Sequence, residues 1–156
     1  IEHNMWMTRP GLSKPIPISP RQRMSGQAAN GDIAATNYAR DYSATLDGEE
    51  TIGGVRCHRL LLAARHNRTT YDRVRYWIAK GSGLAVQAEF YSLSGKLLKR
   101  ATFDYGNSIA FEGRQIPFIS RMTIRDALTP DSTTMEFGTV RVQRIDAAEF
   151  DLGQVQ

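Results

Sequence analysis

The stretch LAVQAEFYSLSGKLLKRATFDY, residues 84–105, decides the fold. Ser94-Gly95 is a two-residue turn signal with strand-like runs on both sides. With Leu93 opposite Lys96, one face carries Leu84/Tyr105, Val86/Phe103, Ala88/Ala101 and Phe90/Lys99. The other carries Ala85/Asp104, Gln87/Thr102, Glu89/Arg100 and Tyr91/Leu98. Alternation sorts most apolar residues to one side and sets Glu89 across from Arg100 as a cross-strand ion pair. A slip of one residue would set the apolar side chains of one strand against the polar ones of the other. Glu89 and Tyr91 then face water, and alanine there is expected to cost about 0.5 kcal/mol.

The preceding strand fits the same scheme. TYDRVRYWIA, residues 70–79, reaches Leu84 through Lys-Gly-Ser-Gly. A three-residue Gly81-Ser82-Gly83 loop sets Val74, Tyr76 and Ile78 opposite Phe90, Ala88 and Val86. A two-residue loop would aim Arg73 and Arg75 at the apolar face instead, so the three-residue loop is favoured.

From Tyr42 onward nearly everything reads as strand and turn. Tyr42, Ala44 and Leu46 alternate with Ser43 and Thr45, GEETIGG bends the chain, and VRCHRLLLAA follows as a strand. Beyond the central hairpins, IPFISRMTIRDA places Phe118, Met122 and Ile124 on one face. In TTMEFGTVRVQ the apolar parity changes at Gly138, as a bulge would allow. Earlier, HNMWMT (3–8) reads as a short strand, and four of the six prolines fall in 10–20, which predicts an irregular connector. Residues 19–42 hold the helix-favouring segment. Ser19-Pro20 would start a short helix ended by Gly26, and Asp32 would cap another through Ala35. Residues 10–41 are thus read as a proline-rich connector and short helical lid. A terminal anchor through Phe150 and Leu152 closes the chain.

Composition bounds the function. The 156 residues suit one domain with a sizeable core, and 41% hydrophobic with 23% charged content is ordinary for a globular protein. No apolar run approaches the ~20 residues of a membrane helix. The net charge of +4 comes with 16 arginines and four lysines, but no tight basic cluster points to nucleic acid. Cys57 is the lone cysteine, so no internal disulfide or thiolate metal cluster can form. Cys57 and His58, adjacent in a strand, point to opposite faces and make no thiol–imidazole pair. His3, His58 and His66 lack metal-ligand spacing, and Asp126 with Asp131 reads as turn capping. No catalytic residue, cofactor or metal is therefore expected. The chain opens on Ile1 with neither an initiator methionine nor a signal peptide, which reads as the C-terminal portion of a longer chain.

The wide apolar face is the better clue. Met24, Ile33, Tyr38 and several alanines are a thin cover for it, which leaves a packed core or a cavity for an acyl chain. Three segments, MWMTRPGLSKPIPIS, RMSGQAANGDIAATNYARDYSATL and YDRVRYWIAKGSGLAVQAEFYSLSGKLLKRATF, resemble the outer-membrane lipoprotein-sorting family related to LolA and LolB. The most specific pieces are Trp6 with Pro10 as W-x-x-x-P, the MSGxxxxGDI segment, and the YW…EFYSLSGK hairpin. The resemblance spans nearly the whole chain, but family members carry a signal peptide, a helix and several strands before the W-x-x-x-P segment. It implies a mainly β fold: a strongly curved antiparallel sheet forming an incomplete barrel with a short helical lid. It further implies a periplasmic, non-catalytic carrier of lipoprotein acyl chains or lipids, served by an inner-membrane transporter and an outer-membrane acceptor. The best-known carriers hold the helical lid with an arginine, and that role is carried over to no particular arginine here. The residues expected to line the hydrophobic site are Met24, Tyr76, Val86, Phe90, Phe103, Phe118, Met122, Ile124, Met135 and Phe137. The alternative is a structural module that pairs through its sheet with a partner or as a homodimer.

Overall fold

The structure, a computed structural model, describes residues 5–7, 14–19, 21, 23–25, 28–29, 32, 37–140, 142, 144 and 146. Strands β1 (Met5–Met7) and β2 (Ile16–Ile18) form a two-stranded ribbon with Trp6 opposite Pro17. The connector expected at 10–20 therefore contains a strand despite its prolines. A two-stranded ribbon has only edges, and an edge tolerates a residue without an N–H. Strands β3 (Arg23–Ser25) and β4 (Ala28–Ala29) make a second ribbon, in place of the helix expected from Ser19 to Gly26. A helix of one to two turns gains too few hydrogen bonds to offset its nucleation. Asp32 is itself helical, residues 33–36 lie outside the described residues, and α1 (Tyr38–Asp41) follows. The Asn37 side chain caps α1 by accepting from the Arg40 amide at 3.1 Å.

The rest is a meander. Strands β5 (Tyr42–Ile52), β6 (Val55–Ala64), β7 (Arg73–Ala79), β8 (Ala85–Tyr91) and β9 (Leu97–Asp104) run on consecutively. A hairpin of β10 (Asn107–Phe111) and β11 (Arg114–Phe118) then leaves the sheet, and β12 (Arg121–Asp126) and β13 (Ser132–Glu136) return to it. The order in the seven-stranded antiparallel sheet is β13-β12-β9-β8-β7-β6-β5, and among the described residues the sheet does not close into a barrel. The fold is thus mainly β, an open antiparallel sheet with little helix among the described residues, as expected. GEETIGG does not bend the chain as a whole. Glu49–Ile52 stays paired in β5, and the reversal is confined to Gly53-Gly54.

The single strand expected across 116–127 is two. It breaks at Ile119-Ser120, where Ser120 Oγ accepts from the Gly106 amide at 2.8 Å and donates to the Asp104 carbonyl at 3.2 Å. Asn107 Nδ2 donates to the Ile119 and Phe137 carbonyls at 3.0 and 2.7 Å, tying the ribbon's base to the sheet. β13 ends at Glu136, before Gly138, so the parity change there falls outside any strand and requires no bulge. Phe150 and Leu152 lie outside the described residues.

The central register holds, but by a different route. Gln87/Thr102, Ala88/Ala101, Glu89/Arg100 and Phe90/Lys99 pair as read from the sequence. Toward the turn, Tyr91 faces Leu97 rather than Leu98. The loop has three residues, Leu93-Ser94-Gly95, closed by Ser92 and Lys96, with Gly95 at φ 81°. A bulge at Leu98 takes up the extra residue, so the two departures cancel. Likewise Val74/Phe90 and Tyr76/Ala88 pair as expected, but Ile78 faces Ala85 because Val86 is bulged.

One expectation is overturned on the polar face. Glu89 is 6% exposed. Its carboxylate accepts from Arg100 Nε and Nη2 at 3.0 and 2.5 Å and from the Tyr91 hydroxyl at 2.5 Å, with Arg75 Nη1 at 3.6 Å. Long side chains on neighbouring strands lie over it, so alternation alone gave the wrong exposure. The arginines are half open to water and can rehydrate when the carboxylate is removed. Glu89→Ala is therefore expected to cost about 1–3 kcal/mol in a urea melt, well above a surface substitution. Gln87→Ala, on the same face and outside this network, serves as the reference.

Candidate functional site

Strand pairing builds the apolar face in rows. Leu62, Val74, Phe90 and Lys99 form one row, and Leu60, Tyr76, Ala88, Ala101 and Ile124 the next. Phe103, Met122 and Met135 form a third, with Phe137 beside it in the same cluster. Burial differs along the face. Val74, Phe90 and Ile124 are essentially sealed, at 1%, 2% and 0% exposure, whereas Tyr76, Phe103, Met135 and Phe137 stay half-buried. One part of the face is a finished core, and the other is a partly open apolar wall.

The sealed part is fastened by a polar cluster. Asp32, its side chain 2% exposed, accepts from the Ala29 amide and from the Tyr71 hydroxyl, both at 2.8 Å. Lys99 Nζ lies 3.5 Å from the same carboxylate and 5.6 Å from the centre of the Tyr71 ring. Tyr71 in turn packs on Phe90 at 4.3 Å between ring centroids, and its carbonyl accepts from the Tyr42 hydroxyl at 2.8 Å. A lysine on an apolar face needs a counter-charge when buried, and Asp32 brings it from the covering segment.

Tyrosines mark the boundary between the sealed part and the open part. Tyr38, on α1, lies 5.7 Å from Tyr42 and 5.0 Å from Tyr76, and Tyr76 meets Phe103 edge-on at 6.2 Å. Burial pushes the phenols of Tyr38, Tyr71 and Tyr76 well above their ordinary range, and the Asp32 carboxylate adds to the effect at Tyr71.

Of the residues proposed from sequence, Tyr76, Phe90, Phe103, Met122, Ile124, Met135 and Phe137 come together in this cluster. Phe118 does not: it sits on β11 opposite Asn107, in the hairpin that leaves the sheet. Val86 is half-buried at the β8 bulge and outside the cluster. Met24 lies on β3 rather than on a helix, and its side chain is outside the described residues, as is Ile33. Sequence reasoning missed Asp32, Tyr71 and Tyr42. The one available signal was Lys99, which alternation already placed opposite Phe90.

The raised phenols give an alkaline prediction. Unfolded tyrosines ionise near pH ~10, while Tyr71 and Tyr76 in the folded chain keep their protons beyond that. Stability is therefore unaffected by these groups below that pH and falls above it. Each tyrosine contributes a slope of about 1.4 kcal/mol per pH unit. Phenolate absorbance should rise together with loss of strand circular dichroism, and Tyr71→Phe should flatten the slope.

Comparison with known proteins places this architecture. A family model described as "Uncharacterized protein" matches residues 1–156. No curated protein matches the chain. A LolA superfamily protein from Nitrosomonas europaea is 31% identical, with a TM-score of 0.79 over 96% of this chain and 66% of that one. A DUF1329 family protein from Desulfovibrio piger is 23% identical, with a TM-score of 0.79 over 98% of this chain and 65% of that one. A domain ascribed to outer membrane lipoprotein sorting in Vibrio parahaemolyticus is 21% identical, with a TM-score of 0.80 over 97% and 65%. The chain thus spans just under two thirds of the length of these solved structures. It belongs to the family whose model covers its full length, and its open sheet shares the LolA-like fold of these solved structures.

Proposed function

We propose that this protein carries a hydrophobic ligand, the acyl chain of a lipoprotein or a lipid, through the periplasm toward the outer membrane. The observation that supports this best is the half-open apolar wall of Tyr76, Phe103, Met135 and Phe137 on an unclosed sheet of LolA-like fold. Burying an acyl chain there gains about 0.8 kcal/mol per methylene, and the methionines can adjust to chains of different shape. The role needs no nucleophile, metal or cofactor, only a surface that exchanges water for hydrocarbon. On this reading residues 1–156 act as one LolA-like unit of a longer chain. An inner-membrane transporter loads the ligand and an outer-membrane acceptor receives it. Native mass spectrometry after incubation with a bacterial lipid extract tests the proposal. A retained acyl-bearing ligand is expected. Absence of any retained ligand, together with failure to bind a fluorescent fatty acid, overturns it.

A second reading, an interaction module that pairs with a partner or its own copy, is favoured by β5. Among the described residues this 11-residue strand pairs only with β6, and its Leu46 is 62% exposed. Light scattering separates the two readings. A ligand-binding monomer fits the carrier, and a dimer that binds no lipid fits the module.

The two parts of the apolar face should respond differently to truncation. Phe90→Ala in the sealed part is expected to cost about 3–5 kcal/mol, as deletion of a packed aromatic does. Phe103→Ala in the open part should cost well under that in the same denaturant melts, and should change the affinity for a fluorescent fatty acid.

A further inference from the structure

The polar face of the sheet carries a feature that acyl-chain transport does not use. An open hollow of 590 Å³ lies there, with Leu61, Ala63 and Thr45 as its floor and Arg73, Arg75 and Tyr91 at its wall. Leu61 is 39% exposed although it faces away from the core. Such a volume suits one small ligand.

The charge around the hollow is unbalanced. Arg75, Glu89, Arg100 and Arg125 succeed one another across strands β7, β8, β9 and β12, and Arg73 lies in the neighbouring row. Glu89 is the only acid in this row with three arginines, and Arg100 and Arg75 already engage it. Arg73 and Arg125 have no acidic partner among the described residues. Arg125 stands directly opposite Arg100, a like-charge pair that costs stability unless an anion lies nearby. Arg75 is held in place by the Tyr91 hydroxyl at 3.3 Å and by its position over that ring, yet its Nε is buried with no hydrogen-bond partner.

We propose that this hollow is a second ligand site, for a small amphiphile with a phosphate or carboxylate head on an aliphatic body. Its head pairs with the guanidinium of Arg73, which presents a forked donor suited to such oxyanions, and with the outer edge of the Arg75 guanidinium. Its body lies on Leu61 and Ala63. The site is separate from the acyl-binding wall, because alternate residues of β6 and β7 point to opposite faces of the sheet.

Isothermal titration with hexyl phosphate, hexanol and inorganic phosphate tests this. Hexyl phosphate is expected to bind more tightly than either of the others by about tenfold or more, the worth of one charge-assisted contact or of a short buried chain. Arg73→Gln, a residue with no partner to lose, should weaken hexyl phosphate by about tenfold while leaving the melting temperature and fatty-acid binding unchanged. Equal binding of inorganic phosphate removes the apolar floor from the proposal and overturns it. So does hexyl phosphate binding that is lost in Phe103→Ala and kept in Arg73→Gln, which would place the ligand on the other face. Co-sedimentation with phosphatidylglycerol vesicles, lost in Arg73→Gln, identifies the head as that of a lipid within a bilayer. Binding of monomeric hexyl phosphate without vesicle binding identifies a free amphiphile, and binding of neither overturns the site.

Discussion

A lysine on the apolar face of a β-sheet is the constraint around which the covering segment is arranged. Lys99 is 8% exposed and stands between Phe90 on β8 and Asp126 on β12. Left alone there, an ammonium would lose its hydration with nothing in return. Asp32 answers it from a segment far away in sequence, and the same carboxylate takes up the Tyr71 hydroxyl and the Ala29 amide. One acidic side chain thus joins the lid, the loop before β7 and strand β9. Ala28 and Tyr71 can seal Phe90 and Val74 because this polar cluster sets where they sit.

That arrangement also explains why the face is closed at one part and open at another. The described part of the cover is short, and its polar anchor, Asp32, meets Lys99 and Tyr71. Tyr38 extends it as far as Tyr76. Past that point the described residues leave Phe103, Met135 and Phe137 half-buried. A larger cover would have made a conventional two-layer core. A smaller one would have left an apolar patch of the kind that drives aggregation. The intermediate case is a wall that hydrocarbon can join without unfolding the sheet.

How much of this was legible in the sequence follows from which forces are local. Alternation over residues 84–105 gave the hairpin partners of Gln87, Ala88, Glu89 and Phe90, because a slip would have buried charge. The two bulges, at Leu98 and Val86, were not legible, since a bulge exchanges one ladder geometry for another at little cost and leaves the apolar pattern unchanged. Val86 was counted as wall on parity alone and is displaced by its bulge. Phe118 was counted for the same reason, but the break at Ser120 sends it into the β10–β11 hairpin. Lys99 was visible on the apolar face, and Asp32 was visible as a helix cap. Their meeting was not, because nothing in a one-dimensional pattern ties residues 67 positions apart.

Glu89 illustrates the same limit on the other face. Period-two reasoning divides a sheet into an inside and an outside, and it assigns water to the outside. Arginine breaks that rule: its stem covers apolar surface while its guanidinium reaches across to a neighbour. Trp77 is 3% exposed on this face, with its indole N–H donating to Glu50 at 2.9 Å, and Cys57 is fully sealed. Arg59 bridges Asp47 and Glu50 at 2.9 and 3.1 Å close by. The polar face is therefore a second packed layer made of side chains alone. Its cohesion comes from paired charges over aromatic and aliphatic stems. Around Arg73 the carboxylates run out while the arginines do not, and there the layer opens into a hollow.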